Sequence, residues 1–145
     1  MRNWLNEEAM ALATQCLWSL QEAAPEIEGL LLTDVDGLTL TATMDGGDSM
    51  QRLAAISTTL FLLSEHTAEA WGQGESMEVH VTLSVEGKKR LVSVRPVGIT
   101  ALLTGVLVSD SRRELVNADL DLATIYLQAV LAGDTPPLPV RWRSR

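Results

Sequence analysis

The stretch DSMQRLAAISTTLFLLSEHTAEAW, residues 48–71, decides how the rest of the chain is read. Asp48 followed three residues later by Gln51 has the spacing of a capping box, which predicts a helix start with Asp48 as cap. Leu53, Ile56, Ser57, Leu60, Leu63, Thr67 and Trp71 then recur with the three- and four-residue rhythm of a buried helix face. A second stripe, Ala54, Thr58, Phe61 and Leu62, lies roughly a quarter-turn away. No charge falls between Arg52 and Glu65. A helix laid on a single sheet needs one apolar stripe. This helix has two, so it wants two neighbours, the second being either another core element or another copy of the chain.

Working outward, Trp4 to Ala24 reads as a first helix with Leu5, Ala9, Leu12, Cys16 and Leu20 on one face, ended by Pro25. Glu28–Asp34 is a short apolar strand, and Leu38–Thr43 alternates leucine with threonine as a half-buried one. Asp34-Val35-Asp36-Gly37 joins them, and Asp-Gly is a strong hairpin signal because the turn needs positive φ. Gly46-Gly47 leads into the central helix and Gly72-Gln73-Gly74 ends it, with glycine expected at the stop. Met77–Glu86 alternates apolar with polar side chains almost perfectly, the mark of an antiparallel strand with one dry face. Glu86-Gly87-Lys88 turns it into Lys89–Pro96, and Val97-Gly98 turns that into Ile99–Val108. The last of these is nearly all apolar, so it belongs in the sheet interior. Ser111 and Glu114 cap a final helix running to about Ala132, with Leu115, Leu122, Ile125, Tyr126 and Ala129 expected to face in.

The order α-β-β-α-β-β-β-α predicts an α+β fold, one five-stranded antiparallel sheet sandwiched by helices. With 145 residues the chain is one domain, taken as residues 1–132. The proline- and arginine-rich remainder, residues 133–145, is expected to be a flexible tail. Its Pro136, Pro139 and Arg141 have the spacing of an SH3 ligand, although a frayed tail is the simpler reading.

Composition narrows the function. No apolar run approaches the ~18–20 residues that span a bilayer. Glu7 and Glu8 stand where a signal peptide would be apolar, and Cys16 is the sole cysteine, so a reduced cytoplasmic setting is expected. Residues 1–86 carry fourteen acids against two bases, and residues 87–145 five acids against nine bases. An acidic first half argues against nucleic acid as a partner. Opposite-sign halves suit steering toward a protein.

Chemistry-bearing motifs are few. LLLTDVDGLTL (30–40) looks like the first motif of the haloacid-dehalogenase phosphatases, but a second strand follows at once. The only lysines, Lys88 and Lys89, sit in a turn, and the acidic pair those enzymes use is missing. An EF-hand is excluded by the missing third ligand, glycine and closing glutamate. His66 and His80 have no zinc-ligand spacing with Cys16. No nucleophile elbow or phosphate loop is present. No enzyme activity, metal or cofactor is expected.

The ordered set Pro-Glu-Ile-Glu-Gly (25–29), LLLTDVDGLTL, QRLAAISTTL (51–60), the alternating strand, the turn at Glu86-Gly87 and ITALLTGVLV (99–108) resembles the Roadblock/dynein light chain family. The resemblance covers about residues 5–132 and extends to its bacterial Mgl-type branch. It implies a profilin-like sandwich, with the central helix on one sheet face and the terminal helices on the other. It also implies a homodimer made by pairing third strands edge to edge and second helices side by side. The Met77–Glu86 strand has no proline and few charges, so as a bare edge it would invite aggregation. The interface expected on these grounds takes Ala54, Thr58, Phe61 and Leu62 from the helix. Met77, Val79, Val81 and Leu83 come from the strand.

Bacterial relatives of the Mgl type bind small Ras-like GTPases and adjust their nucleotide cycle. The function implied by the resemblance is therefore a non-enzymatic dimeric scaffold or regulator of such a GTPase, with Arg52 and Arg90 as candidate partner-binding residues. The alternative is a small-molecule-sensing or general protein-interaction module, with a purely apolar lining between sheet and helix.

Overall fold

The computed structural model describes residues 6–108 and 113–142. Helix α1 (Glu7–Ala23) is followed by β1 (Ile27–Asp34), β2 (Thr39–Ala42), α2 (Asp48–Gly72), β3 (Val79–Val85), β4 (Lys88–Val97), β5 (Ala101–Val108) and α3 (Arg113–Leu131). The strands form one antiparallel sheet in the order β2-β1-β5-β4-β3, so the fold is the α+β arrangement read from the sequence. The near-wholly apolar β5 lies at the centre, paired with β1 through Leu31↔Thr104 and with β4 through Val92↔Val106. Six of its eight residues are buried, as its composition requires.

Alternation along the strands divides the core. Leu30, Leu32, Leu91, Val97, Leu103 and Leu107 point to one face, where α1 and α3 cover them with Leu17, Leu20, Leu120, Leu127 and Val130. Val92, Val94 and Leu102 point to the other face, where Phe61 of α2 meets them. Asn6 caps α1, its Oδ1 accepting from the Ala9 amide at 2.7 Å. Trp4, Leu5 and the Ser111 cap lie outside the described residues.

Both ends of α2 differ from expectation. Gly47, not Asp48, occupies the cap position, at φ 110°, without a side-chain cap bond. The chain enters through Gly46-Gly47, and the positive φ available to glycine puts the cap one residue earlier, so the Gln51 amide donates to Gly47 O at 3.1 Å. At the other end Gln73 takes the left-handed stop, at φ 61°, between two glycines that do not. Its amide donates to Glu69 O and that of Gly74 to Ala68 O, closing a Schellman-type end.

The inward face of α3 also differs. Of the residues expected inward, Tyr126 is buried and Ala129 half-buried, but Leu115, Leu122 and Ile125 are exposed, and Val116, Leu120, Ala123, Leu127 and Val130 are buried in their place. Both sets have helical spacing, and only the position of α3 against α1 chooses between them.

The tail departs from its expected flexibility as far as Trp142. Leu138 packs on the α1/α3 core, and a 3₁₀ turn at Val140–Trp142 buries the Trp142 ring. Trp142 Nε1 donates to Asp119 Oδ1 at 3.1 Å, and Arg141 Nε lies 3.0 Å from the same oxygen. An indole, a cation and a buried carboxylate thus fasten the tail to α3.

Candidate protein-interaction site

The β1–β2 turn is built by its own aspartate. Asp34 Oδ1 accepts from the amides of Asp36 (2.9 Å) and Leu38 (3.0 Å), an Asx-type turn closed by Gly37 N to Asp34 O. Gly37 sits at φ 89°, and a Cβ there would stand 3.4 Å from Thr58 Oγ1 of α2. Glycine is needed both for the left-handed backbone and for the approach to the helix. The D-x-D-G run is therefore a turn device, with Asp34 Oδ1 occupied by backbone donors. Among the described residues no group of three or more His, Cys, Asp or Glu is placed to hold a metal ion. Cys16 is buried on the inner face of α1, and burial pushes its thiol pKa up to about 12, away from the range of a reactive thiolate.

What the fold leaves open is a strand edge and a helix flank. Among the described residues β3 pairs only with β4, from Val79↔Val94 to Val85↔Lys88, and its other edge has no strand beside it. Val79 and Val81 are half-buried on the α2 side, and Leu83 and Val85 are exposed. Met77, just ahead of β3, is exposed as well. The turn into β4 has positive φ at both Glu86 and Gly87, the primed geometry that keeps a two-residue hairpin in register.

The inward face of α2 draws on both stripes of the sequence reading. Ala54 and Phe61, expected to meet a second copy, are buried within the chain, Phe61 in the small core against the sheet. Ser57, from the other stripe, is buried too, its hydroxyl donating to Leu53 O at 2.7 Å. Thr58 is half-buried and Leu62 exposed. The stripe expected to be buried is largely in solvent: Ile56 and Leu63 are about half exposed and Trp71 is 92% exposed. Helical spacing alone supports either assignment. The sheet selects Ala54, Ser57 and Phe61 because small residues let α2 approach closely, with one aromatic filling the gap.

Neither expected arginine is poised over a reaction. Arg90 holds Glu28 through a two-pronged ion pair and donates Nη1–H to Lys89 O at 2.9 Å. Arg52 is exposed in the first turns of α2. The arginine that sequence reading missed is Arg95, 3% exposed on the α3 side of β4. Its Nη1 meets Asp121 Oδ1 at 2.6 Å, and its Nη2 meets Ser93 Oγ (3.0 Å), Asn117 Oδ1 (3.3 Å) and Glu78 Oε2 (3.4 Å). Glu78 Oε1 takes His80 Nε2 at 3.0 Å. That hydrogen bond, then the Arg95 charge, hold the Glu78 carboxyl below its ordinary pKa against the opposing effect of burial. Arg95 thus ties the start of the edge strand to α3. One signal was available in LVSVRPV, where the period-two pattern places a lone cation on the same face as Leu91 and Val97.

Residues 14–107 match the Roadblock/LC7 domain family, and the chain belongs to it. Among solved structures it is similar to a Roadblock/LC7 domain from Streptomyces avermitilis (18% identity, TM-score 0.72, covering 82% of this chain and 97% of that one). It is also similar to the gliding protein MglB of Thermus thermophilus (16%, 0.73, 89% and 95%). MglB of Myxococcus xanthus is comparable (17%, 0.73, 92% and 97%). No curated protein sequence matches the chain. No helix among the described residues is long and apolar enough to cross a membrane.

Proposed function

We propose that this protein is a non-enzymatic, homodimeric regulator that binds a small Ras-like GTPase, preferring its GTP-bound state. The observation that carries the reading is the open β3 edge beside the apolar α2 flank, in a chain of the Roadblock/LC7 family. In the proposed dimer two β3 edges pair about a two-fold axis, and Ile56, Leu60, Leu63 and Trp71 of one α2 meet their equivalents. Leu83 belongs to this interface. Ala54 and Phe61 act beneath it, by seating the helix. The paired helices then offer one continuous surface for the GTPase. An arginine finger is worth ~10³–10⁵ in rate. Arg52→Ala and Arg90→Ala each change GTP hydrolysis far less than that, because Arg90 is held by Glu28 and the regulator works by reshaping the GTPase's own switch loops. The test is titration of the GTPase captured from the native cell, loaded with a non-hydrolysable GTP analogue or with GDP. Tighter binding of the GTP form is expected. Equal affinities would reduce the protein to a scaffold, and the absence of any GTPase would overturn the assignment.

A further inference from the structure

Along α2, between the β1–β2 turn and the loop that leads into β3, lies a second open surface, lined by none of the β3 strand residues. It is a groove of about 390 Å³ between α2, the β1–β2 turn, the β4–β5 turn and the loop before β3. Phe61 and Leu102 contribute apolar side chains to its lining, and Leu62, Val35 and Ile99 add exposed ones. Ile99 is 93% exposed in a turn where Gly98 adopts φ 60°. Turn positions ordinarily carry polar residues, so a β-branched apolar side chain standing in water there calls for a contact.

The charge around this groove has one sign. Glu65 and Glu75 line it, and Glu69 is one helical turn beyond Glu65. None of the three has an ion-pair partner among the described residues, and the last turn of α2 carries no basic residue. Glu69 sits in the last turn of α2, at the negative end of the helix dipole, and Glu75 follows that end in the loop. A cation brought from outside would be held by both the carboxylates and the dipole.

We infer that this groove is a docking site for a basic segment of a partner protein, one that inserts an apolar side chain beside Leu62 and Ile99 while flanking lysines or arginines meet Glu65 and Glu75. Anionic metabolites are repelled by the same carboxylates, and the lining provides no cation to hold them. The groove uses Thr58, Leu62 and Glu65, whereas the proposed dimer uses Ile56, Leu60 and Leu63 on the opposite flank, so it stays open in the dimer. It does not depend on the partner being a GTPase.

The test uses the full chain, isotope-labelled for NMR, and two short synthetic peptides sharing a Leu-Phe centre, one flanked by lysines and the other by glutamates. The lysine peptide is expected to bind saturably, weaken as salt rises, and shift the amide signals of Val35, Leu62 and Ile99. The glutamate peptide should not bind. Glu65→Lys with Glu75→Lys should weaken the lysine peptide about tenfold or more. Leu62→Ala should weaken it as well, and all three positions are exposed, so the fold is kept. Absence of saturable binding, equal binding of both peptides, or shifts centred on Ile56 and β3 would each overturn the inference.

Discussion

The two faces of the sheet are finished to different degrees. Among the described residues the α1/α3 face gathers twenty-one buried apolar residues into one cluster, from Ala9 to Trp142. The α2 face gathers four: Phe61, Val92, Val94 and Leu102. Around them it buries Thr33, Ser57 and Thr104, and the Thr33 and Thr104 hydroxyls lack hydrogen-bond partners. One face is a completed core that sets the stability of the monomer. The other is a thin seat for a helix whose outer flanks remain apolar. A protein whose work is done by contact keeps its rigidity on one side and its unfinished surface on the other.

The strongest way to break this contrast is to open the finished face. Trp142→Ala removes a buried indole and leaves Asp119 with Arg141 alone, so a loss of about 3–5 kcal/mol is expected. Urea titration measures it, and a loss below ~0.5 kcal/mol would mean that the tail is an appendage.

Arg95→Ala comes next, at about 1–3 kcal/mol. Glu78 and Asp121 both reach water and can be rehydrated, so the cost falls on the buried stem and on Ser93 and Asn117. The folded-state pKa of Glu78 is lowered, so its contribution to stability is present above the unfolded pKa. It is lost as pH falls through the folded value. The His80 hydrogen bond is the larger cause and survives the substitution, so Arg95→Ala should flatten the acid limb of the stability profile only in part. An unchanged limb would place the acid sensitivity elsewhere.

On the unfinished face, Ile56→Asp and Leu63→Asp should leave the monomer within about 0.5 kcal/mol of wild type. Light scattering should nevertheless report loss of the proposed dimer. A variant that unfolds instead would make these residues part of the core. The smallest effect is expected in the turn. Asp34→Asn keeps an oxygen that can accept from the Asp36 and Leu38 amides, so its melting temperature should stay within a few degrees, and Asp36→Asn should change less.

Much of this was legible along the chain because it depends on neighbours in sequence. Period-two alternation in residues 77–86, the apolar run of β5, the Asp-Gly turn and the two-sided helix at residues 48–71 each follow from local steric and solvation rules. Together they prescribe the order of elements and the antiparallel sheet. What tertiary structure alone decided is which of several apolar helix positions turn inward. On α2 it chose Ala54, Ser57 and Phe61 over Ile56 and Leu63, and on α3 Val116 and Leu127 over Leu115 and Ile125. Helical periodicity carries no information about rotation around the helix axis when two sides are apolar. That rotation is set by close packing against strands distant in sequence. The same holds for Arg95, whose partners Glu78, Asn117 and Asp121 come from 17 to 26 positions away, and for Trp142, whose burial needs a groove that exists only once α1 and α3 have met.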